Sequence, residues 1–268
     1  MKLSRFTAFS SSLLLGTVLA LTGAGAAQAA SSAALDYVAL GDSYSSGVGA
    51  GSYDSASGDC KRSTKAYPVL WKNANAPSSF AFTACSGAKT GDVTANQLGP
   101  LSTATDLVSI TIGGNDAGFS DVMTTCVLQS EATCINRINQ AKAYVDSTLP
   151  GKLDSVYSAI RSKAPNAHVV VLGYPRFYQL NGTCVAGLSE NERAAINDAS
   201  DYLNAATAKR AANFGYTFAS AVPAFTGHEI CSSSAWLHSV NWLDIGESYH
   251  PTASGQAGGY LPTFSGAA

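Results

Sequence analysis

Short apolar runs punctuate the chain at Asp36 to Leu40, Phe80 to Ala84, Leu107 to Ile112, His168 to Leu172 and Tyr216 to Phe218, and each reads as a strand. Near-continuous apolar runs separated by helices mark strands covered on both sides, so they predict a parallel sheet whose connections are right-handed helical crossovers. The intervening segments carry the helical period. From Ile135 to Arg161, apolar residues recur at Ile135, Ile138, Ala141, Val145, Leu149, Leu153, Val156 and Ile160, spacings of three and four that mark one helix face. Pro150-Gly151 must kink or split that helix. A further helix opens at Ser189, where Ser189 and Glu192 fit a capping box, and runs past Ile196, Leu203 and Ala206 to a stop at Gly215. The stretch from Gly47 to Lys65, rich in Gly, Ser and Asp, reads as a long surface loop. Strands alternating with helices define an α/β chain with a doubly wound sheet.

The N-terminus belongs to a different pattern. Met1-Lys2-Leu3-Ser4-Arg5 is basic, an apolar stretch from Leu13 to Leu21 follows, and small residues lead to Ala27-Gln28-Ala29. That is the layout of a secretory signal peptide, residues 1–32, cleaved between Ala29 and Ala33, and the apolar stretch is too short to span a bilayer. Residues 33–268 then form a single domain of roughly 235 residues, long enough for a sizeable core. Loss of Lys2 and Arg5 leaves 14 basic residues against 18 acidic ones, with no basic patch for nucleic acid. Charged residues make up only 13% of the chain, about half the usual share, so small polar groups carry solubility.

Six cysteines, all beyond the leader, suit disulfides in an exported protein. The close spacing of Cys126 and Cys134 favours a local clip, and nearest-neighbour order then gives Cys60 with Cys85 and Cys184 with Cys231. The first of these would pin the long loop. No paired cysteine or histidine spacing supports a metal site, so neither metal nor cofactor is expected.

The chemistry collects at three points. Gly41-Asp42-Ser43-Tyr44-Ser45 follows the first strand and offers a small, glycine-preceded serine; Gly113-Gly114-Asn115-Asp116 follows the third; His250-Pro251 lies near the C-terminus. In a doubly wound sheet the carboxyl ends of the strands share one crevice, which brings a hydroxyl, an amide and an imidazole to one rim. A serine needs a base to become a nucleophile, and His250 supplies one. Position 45 is serine, so the Gly-x-Ser-x-Gly elbow of α/β-hydrolases is absent.

Gly41-Asp42-Ser43, Gly87 within Cys85-Ser86-Gly87-Ala88, Gly113-Gly114-Asn115-Asp116 and His250-Pro251 stand in the order of the four sequence blocks of the SGNH, or GDSL, hydrolases. The chain resembles that family from Asp36 to about Tyr260, and Gly41 to Gly51, the six cysteines and Tyr174-Pro175-Arg176-Phe177 are most similar to its exported streptomycete lipases and phospholipases. The resemblance implies a three-layer α/β/α, flavodoxin-like fold around a central five-stranded parallel sheet. It implies Ser43 as nucleophile, His250 as general base, and an oxyanion hole from the backbone N–H of Ser43, the backbone N–H of Gly87 and the side-chain amide of Asn115. The second block lacks its usual leading asparagine, which leaves Gly91 as the alternative to Gly87. The position of the usual orienting acid holds Glu247; in the branch this chain resembles, a backbone carbonyl takes that role, so the Ser248 carbonyl is favoured over Glu247.

Other polar residues receive structural readings. Asp42 braces the turn, Asp116 caps a helix, and Ser45 and Ser46 are neighbours of the nucleophile; His168, His228 and His238 are strand-edge or loop residues. Tyr44, Tyr53, Phe119, Tyr174, Phe177 and Tyr178 are expected to flank the crevice. The expected activity is secreted hydrolysis of lipid acyl esters through an acyl-enzyme, by a monomer that touches lipid aggregates transiently. The alternatives are an acetyl esterase acting on carbohydrate and an inactive lipid- or glycan-binding module. An unperturbed histidine titrates near ~6.5, which places the acid limb of activity at about pH 6.

Overall fold

The structure, a computed structural model, describes residues 35–185 and 187–268. The expected leader, residues 1–32, lies outside them. Five parallel strands, β1 (Asp36–Gly41), β2 (Ser79–Phe82), β3 (Leu107–Thr111), β4 (His168–Leu172) and β5 (Thr217–Ala219), pair in the order β2-β1-β3-β4-β5. Nine α-helices are described, in chain order α1 (Ser43–Ser46), α2 (Tyr67–Asn75), α3 (Thr90–Asn96), α4 (Phe119–Leu128), α5 (Glu131–Ser147), α6 (Leu149–Lys163), α7 (Glu190–Asn213), α8 (Val222–Phe225) and α9 (Leu261–Ser265).

The two faces of the sheet build two cores. Tyr37 and Ala39 of β1, Leu107 of β3, and Val170 and Leu172 of β4 join residues of α2, α4, α5 and α9 on one side. Val38 and Leu40, Val108 and Ile110, and Val169 and Val171 join residues of α3 and α6 on the other. Side chains of a strand alternate between faces, so strands apolar at every position can satisfy both cores, which is why the runs looked unpatterned in sequence. The three-layer α/β/α expectation holds.

Three boundaries differ from the periodicity. The helix expected over Ile135 to Arg161 is two helices, α5 and α6, parted at Thr148. Pro150 is not the break itself; it occupies the first turn of α6, where its missing N–H has no intrahelical acceptor to lose. β2 begins at Ser79 and ends at Phe82, and β5 is shifted onward to Thr217–Ala219. Both are edge strands, each paired on one side only, so the neighbour's register rather than their own apolar run fixes their ends.

Disulfides join Cys60 to Cys85, Cys126 to Cys134 and Cys184 to Cys231, the pairs given by nearest-neighbour order. Cys126–Cys134 clips α4 to α5, and Cys60–Cys85 fastens the long loop after α1 to the segment that follows β2.

Candidate active site

The order β2-β1-β3 reverses direction of winding at β1, so the carboxyl ends of β1 and β3 diverge and leave a crevice between their loops. Gly41 ends β1 at φ +127°, a conformation that L side chains rarely adopt, and an added Cβ would meet the Thr111 carbonyl oxygen at 2.6 Å. The buried Gln97 amide clamps this residue, its Nε2 donating to the Gly41 carbonyl at 2.8 Å and its Oε1 accepting from the Gly41 N–H at 2.7 Å. Asp42 then caps α1, accepting from the Tyr44 N–H at 3.0 Å, and Ser43 becomes the first residue of the helix.

Ser43 Oγ lies 2.8 Å from His250 Nε2, across 207 residues of sequence. Nδ1 of the same ring lies 2.9 Å from the Ser248 carbonyl oxygen. A carbonyl only accepts, so Nδ1 carries the hydrogen and Nε2 presents its lone pair to the Ser43 hydroxyl. The neighbours of the pair are joined as well: the Tyr44 hydroxyl donates to the Tyr249 carbonyl at 2.6 Å. Tyr249 sits at φ +64°, in the left-handed region that costs a bulky residue of order 1–3 kcal/mol, and this bond helps to hold it there.

Glu247 turns away from the imidazole. Its carboxylate accepts from the Tyr53 hydroxyl at 2.6 Å, while Tyr53 in turn accepts from the Gly49 N–H. Glu247→Gln is therefore expected to change kcat less than threefold, since the amide oxygen still accepts from Tyr53; a loss near a thousandfold, read by steady-state kinetics on a soluble ester, would return the orienting role to the carboxylate.

Burial shifts both ionisable groups beside Ser43. The His250 ring is lowered to about 4, chiefly by desolvation, with the Ser248 carbonyl acting in the opposite sense and His238 adding to the fall. Asp42 is raised to about 6 by desolvation, opposed by hydrogen bonds from Thr111, Tyr174 and Tyr44. A base acts only when neutral, so an imidazole at about 4 keeps activity down to a pH well below the limb expected of an unperturbed histidine. The kcat/KM profile should accordingly fall through about pH 4. Repeating it with Asp42→Asn separates the two groups: a limb near 6 that survives the change would belong to His250 and contradict its desolvation.

The other rim residues arrange as follows. Asn115 lines the cavity that also holds Ser43, and its Nδ2 donates to the Ala88 carbonyl at 3.0 Å, which ties the loop after β3 to the segment carrying Gly87. That bond uses one amide hydrogen and leaves a second. Gly87 has φ +76° and open space about its Cα. Gly91 lies within α3. Asp116 does not cap its own helix, whose N-cap is Gly118; it accepts from the Thr90 N–H at 2.9 Å and from Thr90 Oγ1 at 2.7 Å, and so holds the start of α3 from across the rim. The turn through Gly113-Gly114 brings it there.

Three of the remaining expectations concern histidines. His168 Nε2 meets the Ala267 carbonyl, His228 stacks on Trp236, and His238 Nε2 contacts the Gly49 carbonyl. Among the crevice aromatics, Tyr44, Phe119, Tyr174 and Phe177 line the cavity beside Ser43, whereas Tyr53 braces Glu247 and the Tyr178 hydroxyl donates to that of Tyr249. The cavity is walled largely by apolar side chains of α4, α5 and α7.

Several buried amides escaped the sequence reading. Besides Gln97, Gln256 accepts from the Tyr67 N–H and donates to the Tyr44 carbonyl, and Asn204 bridges the N–H and carbonyl of Tyr174. The Tyr174 hydroxyl donates to Asp42 and accepts from the Gly114 N–H, so it links the turn bearing Ser43 to the Asn115 loop. Nothing in the sequence distinguished these from surface amides.

The GDSL-like Lipase/Acylhydrolase family model matches residues 39–257. Lipase 1 of Streptomyces coelicolor is 70% identical over 269 residues, covering 100% of both chains. Two crystal structures align over 88% of this chain and 100% of their own: phospholipase A1 from Streptomyces albidoflavus, at 69% identity and a TM-score of 0.86, and an extracellular lipase from Streptomyces rimosus, at 64% identity and the same TM-score. With the match running across both strand ends and the His250 loop, the chain belongs to the GDSL-like lipase and acylhydrolase family.

Proposed function

We propose that Ser43 and His250 form a catalytic dyad that cleaves acyl esters of lipids through an acyl-enzyme. His250 Nε2 takes the Ser43 proton as Oγ attacks the ester carbonyl, then returns it to the departing alcohol as the tetrahedral intermediate collapses. Water repeats the cycle with the same base and releases the fatty acid. The Ser248 carbonyl fixes the tautomer and faces the proton-bearing side of the imidazolium. The backbone N–H groups of Ser43 and Gly87 and the free amide hydrogen of Asn115 receive the oxyanion. The chain is exported after loss of residues 1–32 and works as a monomer.

The observation that carries the lipid reading is the apolar cavity running from Ser43 between α4, α5 and α7, which offers an acyl chain a path lined by hydrocarbon side chains. A carbohydrate acetyl esterase has no use for that depth. Initial rates on acetyl, octanoyl and decanoyl esters of one alcohol test the reading, with the longer chains expected to win. Ala199 of α7 lines the cavity, and Ala199→Phe should lower the decanoyl rate at least about tenfold relative to acetyl by filling the path. Preference for acetyl in the unaltered enzyme would favour the carbohydrate substrate instead.

A further inference from the structure

Beside the cavity runs a second groove, lined by Leu128 of α4, by Trp242 and Ile245, and ending on Tyr249 and His250. Phe119 and Met123 line both spaces, so they form the wall between the groove and the cavity at Ser43. Three of its lining side chains stand in solvent, Trp242 at 70%, Ile245 at 64% and Leu128 at 60% exposure, and Leu243, next to Trp242 in the chain, is 99% exposed. Single exposed apolar residues are ordinary, but three lining one groove, with Leu243 next to one of them in the chain, are not.

The segment bearing three of these four, residues 240–247, ties up its polar groups in hydrogen bonds and ion pairs. The Asn241 N–H donates to Ser248 Oγ at 2.8 Å, and Asn241 Oδ1 accepts from the Leu243 and Asp244 N–H groups. Its charged side chains are also held: Asp244 pairs with Lys61 at 3.6 Å, and Glu247 accepts from Tyr53. The segment contains no lysine or arginine. What it presents outward is an indole and two aliphatic tips on a braced backbone, the residue types that settle at the boundary between headgroups and acyl chains.

We propose that this face seats the enzyme on the surface of a zwitterionic lipid aggregate, with Trp242, Leu243, Ile245 and Leu128 inserted, so that an acyl ester passes along the groove to Ser43. The inference rests on the lipid-ester reading above. The patch is continuous with the groove that ends on the base, so a surface docked there delivers substrate where it is needed. The segment contributes no cation of its own, the lysine beside it, Lys61, is neutralised by Asp244, and Glu247 is held by Tyr53, which matches a zwitterionic surface rather than an anionic one and makes docking insensitive to salt.

The test uses full-length mature protein carrying Ser43→Ala, which cannot consume the lipid, mixed with phosphatidylcholine vesicles. Sedimentation should show partition into the vesicle pellet that is unchanged by raised salt. Adding Trp242→Gln and Leu243→Gln together should weaken that partition at least about a hundredfold, since each side chain of this size is worth about tenfold or more in burial. Tryptophan fluorescence supplies a second reading: Trp71 is buried in the core and Trp236 is stacked against His228, so a blue shift on adding vesicles that Trp242→Phe abolishes locates the contact. Leu243→Gln alone, in the active enzyme, should leave hydrolysis of a soluble short-chain ester unchanged while lowering the rate on vesicles.

No vesicle partition, or partition unaltered by the double substitution, would overturn the docking face even if soluble esters are hydrolysed normally. Failure of the lipid reading looks different, because it appears as preference for acetyl esters in soluble assays. Partition that demands anionic lipid and vanishes in salt would overturn the zwitterionic assignment. A dimer in sedimentation velocity that the double substitution dissolves would assign the face to a second copy of this chain and likewise overturn the proposal.

Discussion

Ser43→Ala is expected to lower kcat on a soluble ester by about a millionfold, and His250→Ala by a similar factor, with the double variant no worse than either. The reason is the 2.8 Å contact between Oγ and Nε2: each group is inert without the other, so removing either removes the whole nucleophilic pathway. Both side chains are buried yet small or replaceable in volume, so a shared loss of folding is not expected; thermal denaturation of each variant checks this. Intact mass after treatment with a serine-directed organophosphonate gives an independent reading. The unaltered enzyme should take one adduct and the Ser43→Ala variant none. A His250→Ala variant that keeps more than about one hundredth of the activity would detach the imidazole from the reaction.

Asn115→Ala is expected to cost about a hundredfold to a thousandfold in kcat, the loss of about 2.7 to 4 kcal/mol of transition-state stabilisation that removal of one oxyanion donor brings. KM should change little, because the amide matters most when negative charge gathers on the oxygen. The amide also tethers the Ala88 carbonyl, so its removal frees the Gly87 segment on one side. The Cys60–Cys85 disulfide still fastens that segment on the other. Asn115→Asp keeps the size and removes the donor; if it loses as much as Asn115→Ala with an unchanged melting temperature, donation rather than packing is at stake. An unchanged kcat in both variants would place the oxyanion elsewhere.

Much of the architecture could be read from the chain because a doubly covered strand is apolar on both faces, and this demand leaves runs such as Val169 to Leu172 that little else produces. The candidate groups could be found because Ser43 follows the end of β1 behind Gly41, and because His250 with Pro251 completes a recognisable order of sequence blocks, although it lies in a loop rather than at a strand end. What could not be read is what holds them. Gln97 clamps Gly41 from 56 positions away and Gln256 reaches Tyr44 from 212, and an amide within a polar stretch carries no periodic mark of being buried. The shift of His250 to about 4 was invisible for a similar reason: desolvation depends on what packs around the ring, contributed by Tyr44 and Phe119 from other parts of the chain. Asp116 was misplaced because local pattern suggested a cap for the next helix, whereas the tight glycine turn points it at Thr90.

The acceptor for Nδ1 of His250 is a peptide carbonyl at position 248, and this has a genetic consequence. Every amino acid supplies the same oxygen, so no codon change at that position deletes it. A saturation screen for loss of activity would mark Ser43 and His250 as indispensable and pass over the third participant entirely. Only an alteration in the path of the main chain, such as an insertion between residues 247 and 250, would expose it.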